Sequence, residues 1–148
     1  VSVYRRLSHI PNIVGVKEAS KDIAKIASII NACPKDFSVW SGNDDQIVPI
    51  MALGGIGVIS VLSNIEPKYT HEIVYDFLNG NVEKATKSQV KAIPLIKGLF
   101  CEVNPIPVKA AMAAMGYCDN YLRLPLTPME DANEKRLLLD MKNVGIEF

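Results

Sequence analysis

Over the first 65 residues, apolar positions switch between a strand period and a helix period. Three runs rich in β-branched and aromatic residues are too short for helices and apolar on both faces: NIVGVKEAS at 12–20, FSVWS at 37–41 and IGVISVL at 56–62. Strands of that kind belong in a parallel sheet covered by helices. Between the first two, Ile23, Ile26, Ala27 and Ile30 recur at helical spacing, with Ser20 as the expected N-cap and Pro34 as the stop. Between the second and third, a helix is expected from Asp44 or Asp45, either able to cap it, to about Leu53. Pro49 then falls near the first turn, and Gly54-Gly55 ends the helix. The order β-α-β-α-β with short links predicts parallel strands joined by right-handed crossovers.

The opening SVYRRLSHI has the pattern of the tail of an amphipathic helix, and from Glu66 onward the period is helical throughout. Pro67 suits a first turn; Ile73, Val74, Phe77 and Leu78 form an inward stripe; Asn79-Gly80 ends it. A long helix is expected from Val82 to about Glu102, kinked at Pro94. Asn104-Pro105-Ile106-Pro107 should be extended, followed by a short helix over Val108–Met115 with Gly116 just past its end. Thr127-Pro128-Met129-Glu130 has the form of a capping box, opening a final helix that runs through Val144 to Gly145.

Charge and composition narrow the function. Sixteen basic and sixteen acidic residues cancel, so nothing draws the chain to nucleic acid or a membrane surface. The longest apolar run, 47–62, is interrupted by Pro49, Gly54, Gly55 and Gly57, too short and too broken to span a bilayer. Cys33, Cys101 and Cys118 form no CxxC pair and are expected as buried thiols in a reducing compartment. His9 and His71 are far apart without ligand spacing, so surface or packing roles are expected rather than a metal site.

The first strand carries the candidate chemistry. With period-2 alternation Ile13, Gly15, Lys17 and Ala19 share one face, and Val14, Val16 and Glu18 the other. Gly15 and Ala19 are small, which leaves room for a ligand beside Lys17. An ordinary lysine is almost wholly ammonium near neutral pH, but a dry apolar site disfavours that charge. The freed amine attacks ketones and forms a Schiff base. The plainer alternative is a lysine at a strand end with its stem packed and its head in water. Ser41-Gly42-Asn43 and Ile59–Ser63 stand at the carboxyl ends of the other two strands, where barrel enzymes place their sites. Gly42 suits either a close approach over the mouth or a turn needing positive φ. Ile59 by itself reads as core. Gly54-Gly55-Ile56-Gly57 precedes a strand rather than following one, which argues against a nucleotide cradle. Asn43-Asp44-Asp45 fits capping better than coordination, and Lys109 opens a helix as a structural or surface residue.

GVKEAS at 15–20, SGND at 41–44, GGIGVIS at 54–60, NPIPVK at 104–109 and LRLPLTP at 122–128 are, in that order, the motifs of the dihydrodipicolinate synthases. The chain resembles that family of pyruvate-dependent class I aldolases over nearly its whole length. Glu18-Ala19 and NPIPVK favour it over the sialic-acid lyases. The resemblance implies an α/β fold, the C-terminal part of a TIM (β/α)8 barrel. Residues 1–65 would be its last three parallel strands with helices, and 66–148 the final barrel helix and a C-terminal helical region. Three strands against the eight of a closed barrel, and a start on Val inside a helical pattern, make a fragment the expectation. The implied reaction condenses pyruvate with aspartate semialdehyde to 4-hydroxy-tetrahydrodipicolinate, in lysine and diaminopimelate synthesis. Lys17 would form the imine, Ile59 close over the keto acid and Gly42 let substrate approach the backbone. No metal or organic cofactor is implied, and a cytoplasmic homotetramer is. The family's tyrosine–threonine–tyrosine relay and carboxylate-binding arginine belong to the N-terminal half. Neither Arg5, Arg6 nor any of the five tyrosines matches them, so this chain alone is expected to be inactive. Two alternatives stand: another pyruvate-dependent aldolase of the sugar-acid or sialic-acid lyase type, and a non-catalytic half-barrel that needs a partner half.

Overall fold

The computed structural model describes residues 1–148. Three short parallel strands, β1 (Gly15–Glu18), β2 (Ser38–Ser41) and β3 (Gly57–Val58), lie side by side in sequence order. Their register sets Gly15 opposite Ser38, Lys17 opposite Trp40, and Trp40 in turn opposite Gly57. A helix fills each crossover, α2 (Ile23–Ala32) after β1 and α3 (Ile47–Ala52) after β2, with α1 (Ser2–Leu7) ahead of the sheet. Helices α4 (Pro67–Leu78), α5 (Val82–Leu99), α6 (Ile106–Ala114) and α7 (Asp131–Asn143) complete the chain. The expected β-α-β-α-β order is therefore present.

Most departures from the sequence reading lie at element ends, where tertiary partners outweigh local signals. β1 stops at Glu18 because the Glu18 carboxylate takes the N–H of Ser20 at 2.9 Å and the chain turns through Lys21 at φ 63°. Ser20 is not the cap of α2. Asp22 is, its Oδ1 accepting the Lys25 N–H at 2.9 Å. Neither Asp44 nor Asp45 caps α3, which follows a 3-10 turn at Asp44–Gln46. Asp44 is buried, and Asp45 faces Lys21 at 3.6 Å. β3 is only two residues long, and a second 3-10 turn follows at Leu62–Asn64. Leu78 of the expected inward stripe is exposed, whereas Ile73 is buried.

In the helical part, α5 ends at Leu99 and keeps Pro94 within it. α6 begins at Ile106, so Ile106-Pro107 is helical rather than extended; Pro107 occupies the second helical position, where no N–H partner is lost. The Thr127–Glu130 capping box does not form, and α7 starts at Asp131. Glu102, 28 residues upstream, supplants it: its Oε1 accepts the Glu130 N–H at 3.0 Å and the Asn133 Nδ2 at 2.7 Å. A carboxylate there also complements the positive end of the helix.

Two compact units are formed, Val1–Ser60 with His71–Gln89, and Val61–Thr70 with Val90–Phe148. The core of the first gathers Ile26 and Ile29 of α2, Val39 of β2 and Ile50 of α3, with Tyr4, Val16 and Cys33 packed against it. The core of the second includes Leu62, Leu95, Leu99, Ile106, Leu137 and Met141. Each fully buried side chain of this size contributes about 2 kcal/mol. Of the cysteines only Cys33 is half-buried. Cys101 and Cys118 are exposed, contrary to expectation, because both lie past helix ends where no second layer covers them. No helix is long and apolar enough to cross a membrane.

Candidate active site

The two faces of β1 have opposite surroundings. Val16 packs on the core formed with α2 and α3, and Glu18 on that same side is 2% exposed. Lys17 must therefore leave the face that the helices do not cover, and its side chain is exposed there. Trp40 and Gly57 are its neighbours across the register. Gly15 does not hold space for a ligand, as its size suggested. A Cβ on it would lie 2.5 Å from Cζ3 of Trp40 and collide with the Ser38 carbonyl oxygen, so the indole occupies that room.

Gly42 and Ile59 stand at the same end of the sheet as Lys17. Glu18, Ser41 and Val58 are in register, so Ala19, Gly42 and Ile59 follow one residue later on three adjacent strands. Two hydrogen bonds continue the ladder, Gly42 N–H to the Glu18 carbonyl and Ile59 N–H to the Ser41 carbonyl, both 2.8 Å. Gly42 has no positive φ, so a turn does not explain it. Close approach does: an added Cβ would stand 2.6 Å from the Ala19 Cβ and 3.1 Å from the Glu18 carbonyl oxygen. Ile59 is 47% exposed and is not core. With strands about 4.8 Å apart, the columns of Lys17 and Ile59 are roughly 10 Å apart across the sheet.

Charge on the helix side of β1 is fully engaged. Glu18 Oε2 accepts the Tyr4 hydroxyl at 2.7 Å, Oε1 accepts the Ser20 N–H at 2.9 Å, and the Lys25 ammonium lies 3.5 Å from Oε1. Burial pushes the Glu18 carboxyl up, but the hydrogen bonds from Ser20 and Tyr4, with the Lys25 charge, outweigh it and hold it below the ordinary carboxylate value. The same bond, helped by burial, raises the Tyr4 hydroxyl. Neither Tyr4 nor Lys25 was singled out from the sequence. The one available signal was a lone carboxylate on the otherwise apolar Val14-Val16-Glu18 face.

Beneath the second strand, Ser41 Oγ donates to the Asn43 carbonyl at 2.7 Å and accepts the Asn43 N–H at 3.1 Å. Gln89 ties this turn to α5, donating to the Asp44 carbonyl at 2.8 Å and accepting the Val48 N–H at 3.3 Å. Asn43 and Asp44 are buried, and these bonds hold their backbones in place. His9 and His71 are exposed, the latter stacked on Tyr75 at 4.0 Å. Lys109 lies half-buried within α6, and Asn104, Tyr117 and Tyr121 are exposed in the second unit.

The chain is similar to known proteins over nearly its whole length. The family model described as the dihydrodipicolinate synthetase family matches residues 1–144. A 4-hydroxy-tetrahydrodipicolinate synthase of Caldicellulosiruptor saccharolyticus is 54% identical over 144 residues, which are 97% of this chain and 48% of that one. The crystal structure of dihydrodipicolinate synthase from Thermotoga maritima superposes with a TM-score of 0.96 at 41% identity, covering 99% of this chain and 51% of that one. The chloride-inhibited synthase of Acinetobacter baumannii, solved with pyruvate, gives 0.93 at 38% identity, covering 99% and 50%. The chain spans about half the length of the curated relatives it matches, and its three strands and their helices fit the C-terminal half of the family's TIM barrel. By sequence and by fold, this chain belongs to the dihydrodipicolinate synthetase family.

Proposed function

We propose that the chain supplies the Schiff-base half of a synthase that condenses pyruvate with aspartate semialdehyde to 4-hydroxy-tetrahydrodipicolinate. The observation that supports this reading is a lysine within β1, at the carboxyl end of a parallel sheet and on the face free of helices. Lys17 is exposed in this chain rather than dry, so in this reading the N-terminal half-barrel supplies the desolvation that frees its amine. In the reading, the Lys17 amine adds to the keto carbon of pyruvate and the carbinolamine loses water to give an imine. Loss of a methyl proton gives an enamine whose carbon attacks the aldehyde, and ring closure through the substrate amine expels the lysine. Ile59 closes over the bound keto acid, and Gly42 keeps the approach to the backbone free. The proton relay and the carboxylate-binding arginine come from an N-terminal half-barrel, which pairs with this one in the closed barrel. Residues 66–148 supply the last barrel helix and the C-terminal helical region. The assembled enzyme is a cytoplasmic homotetramer serving lysine and diaminopimelate synthesis.

The test is borohydride reduction in the presence of pyruvate, followed by peptide mass mapping. The barrel is completed by fusing the N-terminal half of the Caldicellulosiruptor relative ahead of Val1. An adduct on Lys17 is expected, with turnover of aspartate semialdehyde ahead of a panel of sugar acids. Adduct on Lys21, Lys25 or Lys109 in its place refutes the assignment.

A further inference from the structure

Next to Lys17 stands a buried carboxylate that the proposed chemistry does not use. Glu18 is 2% exposed, and its partners come from separate parts of the chain. The Tyr4 hydroxyl reaches it from α1 at 2.7 Å, Lys25 from α2 at 3.5 Å, and the Ser20 N–H from the following turn at 2.9 Å. Lys25 also sits 5.8 Å from the centre of the Tyr4 ring, so the two clamping groups support each other. The Glu18 carbonyl meanwhile accepts the N–H of Gly42, the residue just past β2. An apolar side chain would fill the helix side of a strand at lower desolvation cost, as Val16 does one pleat earlier. What the carboxylate adds is direction. Neighbouring side chains on a strand leave opposite faces of one backbone, so any twist that moves Glu18 swings Lys17 the other way.

We infer that Glu18 is a positioning residue for Lys17, its clamp of Tyr4, Lys25 and the Ser20 amide fixing the angle at which the amine leaves the opposite face. This rests on the Schiff-base reading above. Misplacement by about 1 Å costs on the order of 100-fold in rate, so a loosened clamp is felt even with the fold intact.

The experiment compares parent, Glu18→Gln, Tyr4→Phe and the double variant in the completed fusion, timing adduct formation at Lys17 with adducts at Lys21 as internal reference. Glu18→Gln is expected to slow Lys17 trapping at saturating pyruvate by roughly 10- to 100-fold. The half-saturating pyruvate concentration should stay within about twofold, with Lys21 unaffected. The double variant should be no slower than Glu18→Gln, since both act through one clamp. Parent rates at Lys17 in Glu18→Gln, or a parallel fall at Lys17 and Lys21, overturn the inference. If the parent fusion forms no Lys17 adduct, the Schiff-base reading itself fails and positioning fails with it. Hydrogen exchange on the unfused chain keeps the clamp testable without chemistry. Glu18→Gln should speed exchange at the Ser20 and Gly42 amides by roughly tenfold or more, with α5 amides unchanged. Unchanged exchange at those two amides refutes the clamp whatever trapping shows.

Discussion

Replacing Gly42 by Ala tests the closest backbone approach at the mouth of the sheet. The new methyl would lie 2.6 Å from the Ala19 Cβ, 3.1 Å from the Glu18 carbonyl oxygen and 3.2 Å from the Ala19 Cα. No side-chain rotation relieves a contact between two Cβ atoms, so the backbones of β1 and β2 must part. They are held by the 2.8 Å bond from the Gly42 amide to Glu18. Overpacking of this kind costs about 1–3 kcal/mol. The second variant is Ala19→Gly, which removes the worst contact and by itself costs about 0.5–1 kcal/mol as a glycine in extended chain. The two remaining approaches, at 3.1 and 3.2 Å, need a shift of only a few tenths of an ångström. Gly42→Ala/Ala19→Gly should therefore be more stable than Gly42→Ala alone, with a coupling energy of about 1–2 kcal/mol. Trp40, the chain's one tryptophan, lies on β2 two residues before Gly42, so urea unfolding followed by its fluorescence reads this unit directly. A Gly42→Ala protein within about 0.5 kcal/mol of the parent, or additive losses in the double variant, would refute the packing account.

Three further outcomes follow from the same structure. Glu102→Ala removes the acceptor of two hydrogen bonds at the start of α7 and should cost about 1–2 kcal/mol, read as faster exchange of α7 amides; unaltered exchange would mean the helix is capped otherwise. Acid should act oppositely on two carboxyls. Glu18 is held below its ordinary value, so its stabilisation is complete above about pH 4.3, its unfolded value, and is lost as pH falls through the lower folded one. Glu66 is raised by burial, so its contribution is greatest below about pH 4.3 and disappears as pH rises through the higher folded value. In the parent protein the Trp40-detected urea midpoint should fall below pH 4.3 more steeply than in Glu18→Gln; equal slopes would exclude the Glu18 contribution. Lys17→Ala and Ile59→Ala remove exposed side chains and should each change stability by less than about 0.5 kcal/mol. Lys17→Ala should nevertheless abolish pyruvate trapping in the completed barrel, and a large stability loss from it would mark a structural lysine instead.

Periodicity made the strand order legible, because a two-residue repeat and a 3.6-residue repeat are both properties of short windows. It also separated Lys17 from Val16 and Glu18, since alternation needs only neighbours. What windows do not contain is the partner that decides an end. Ser20 and Asp22 are both acceptable caps by composition, but the chain turns at Ser20 and Lys21 before α2 begins, so it is the Asp22 carboxylate that reaches the Lys25 amide. Thr127–Glu130 satisfies the capping-box spacing, yet Glu102 from 28 residues away holds that amide. Gly15 looked like vacant space for the same reason: Trp40, 25 positions later, fills it. The Tyr4–Glu18 bond joins an amphipathic helix to a strand 14 residues on, a contact set by how α1 lies over the sheet rather than by either residue's neighbours.

The consecutive pair Lys17-Glu18 shows what alternation accomplishes chemically. Opposite charges one residue apart could have paired with each other, but the pleat sends them to different faces. On the helix side the carboxylate meets a hydroxyl, an amide and an ammonium, and its charge is compensated within 3.5 Å. On the other side Lys17 faces Trp40 across the register, with Ile59 exposed two strands over. If the carboxylate were free to curl around the strand edge, it would pair with the amine and stabilise the ammonium, the form that cannot attack a ketone. Its burial therefore keeps a counter-ion away from the amine as well as fixing the backbone beneath it. Glu18→Ala should accordingly leave Lys25, not Lys17, with the altered electrostatic surroundings. Any loss of pyruvate adduct at Lys17 in the borohydride assay would then be one of geometry.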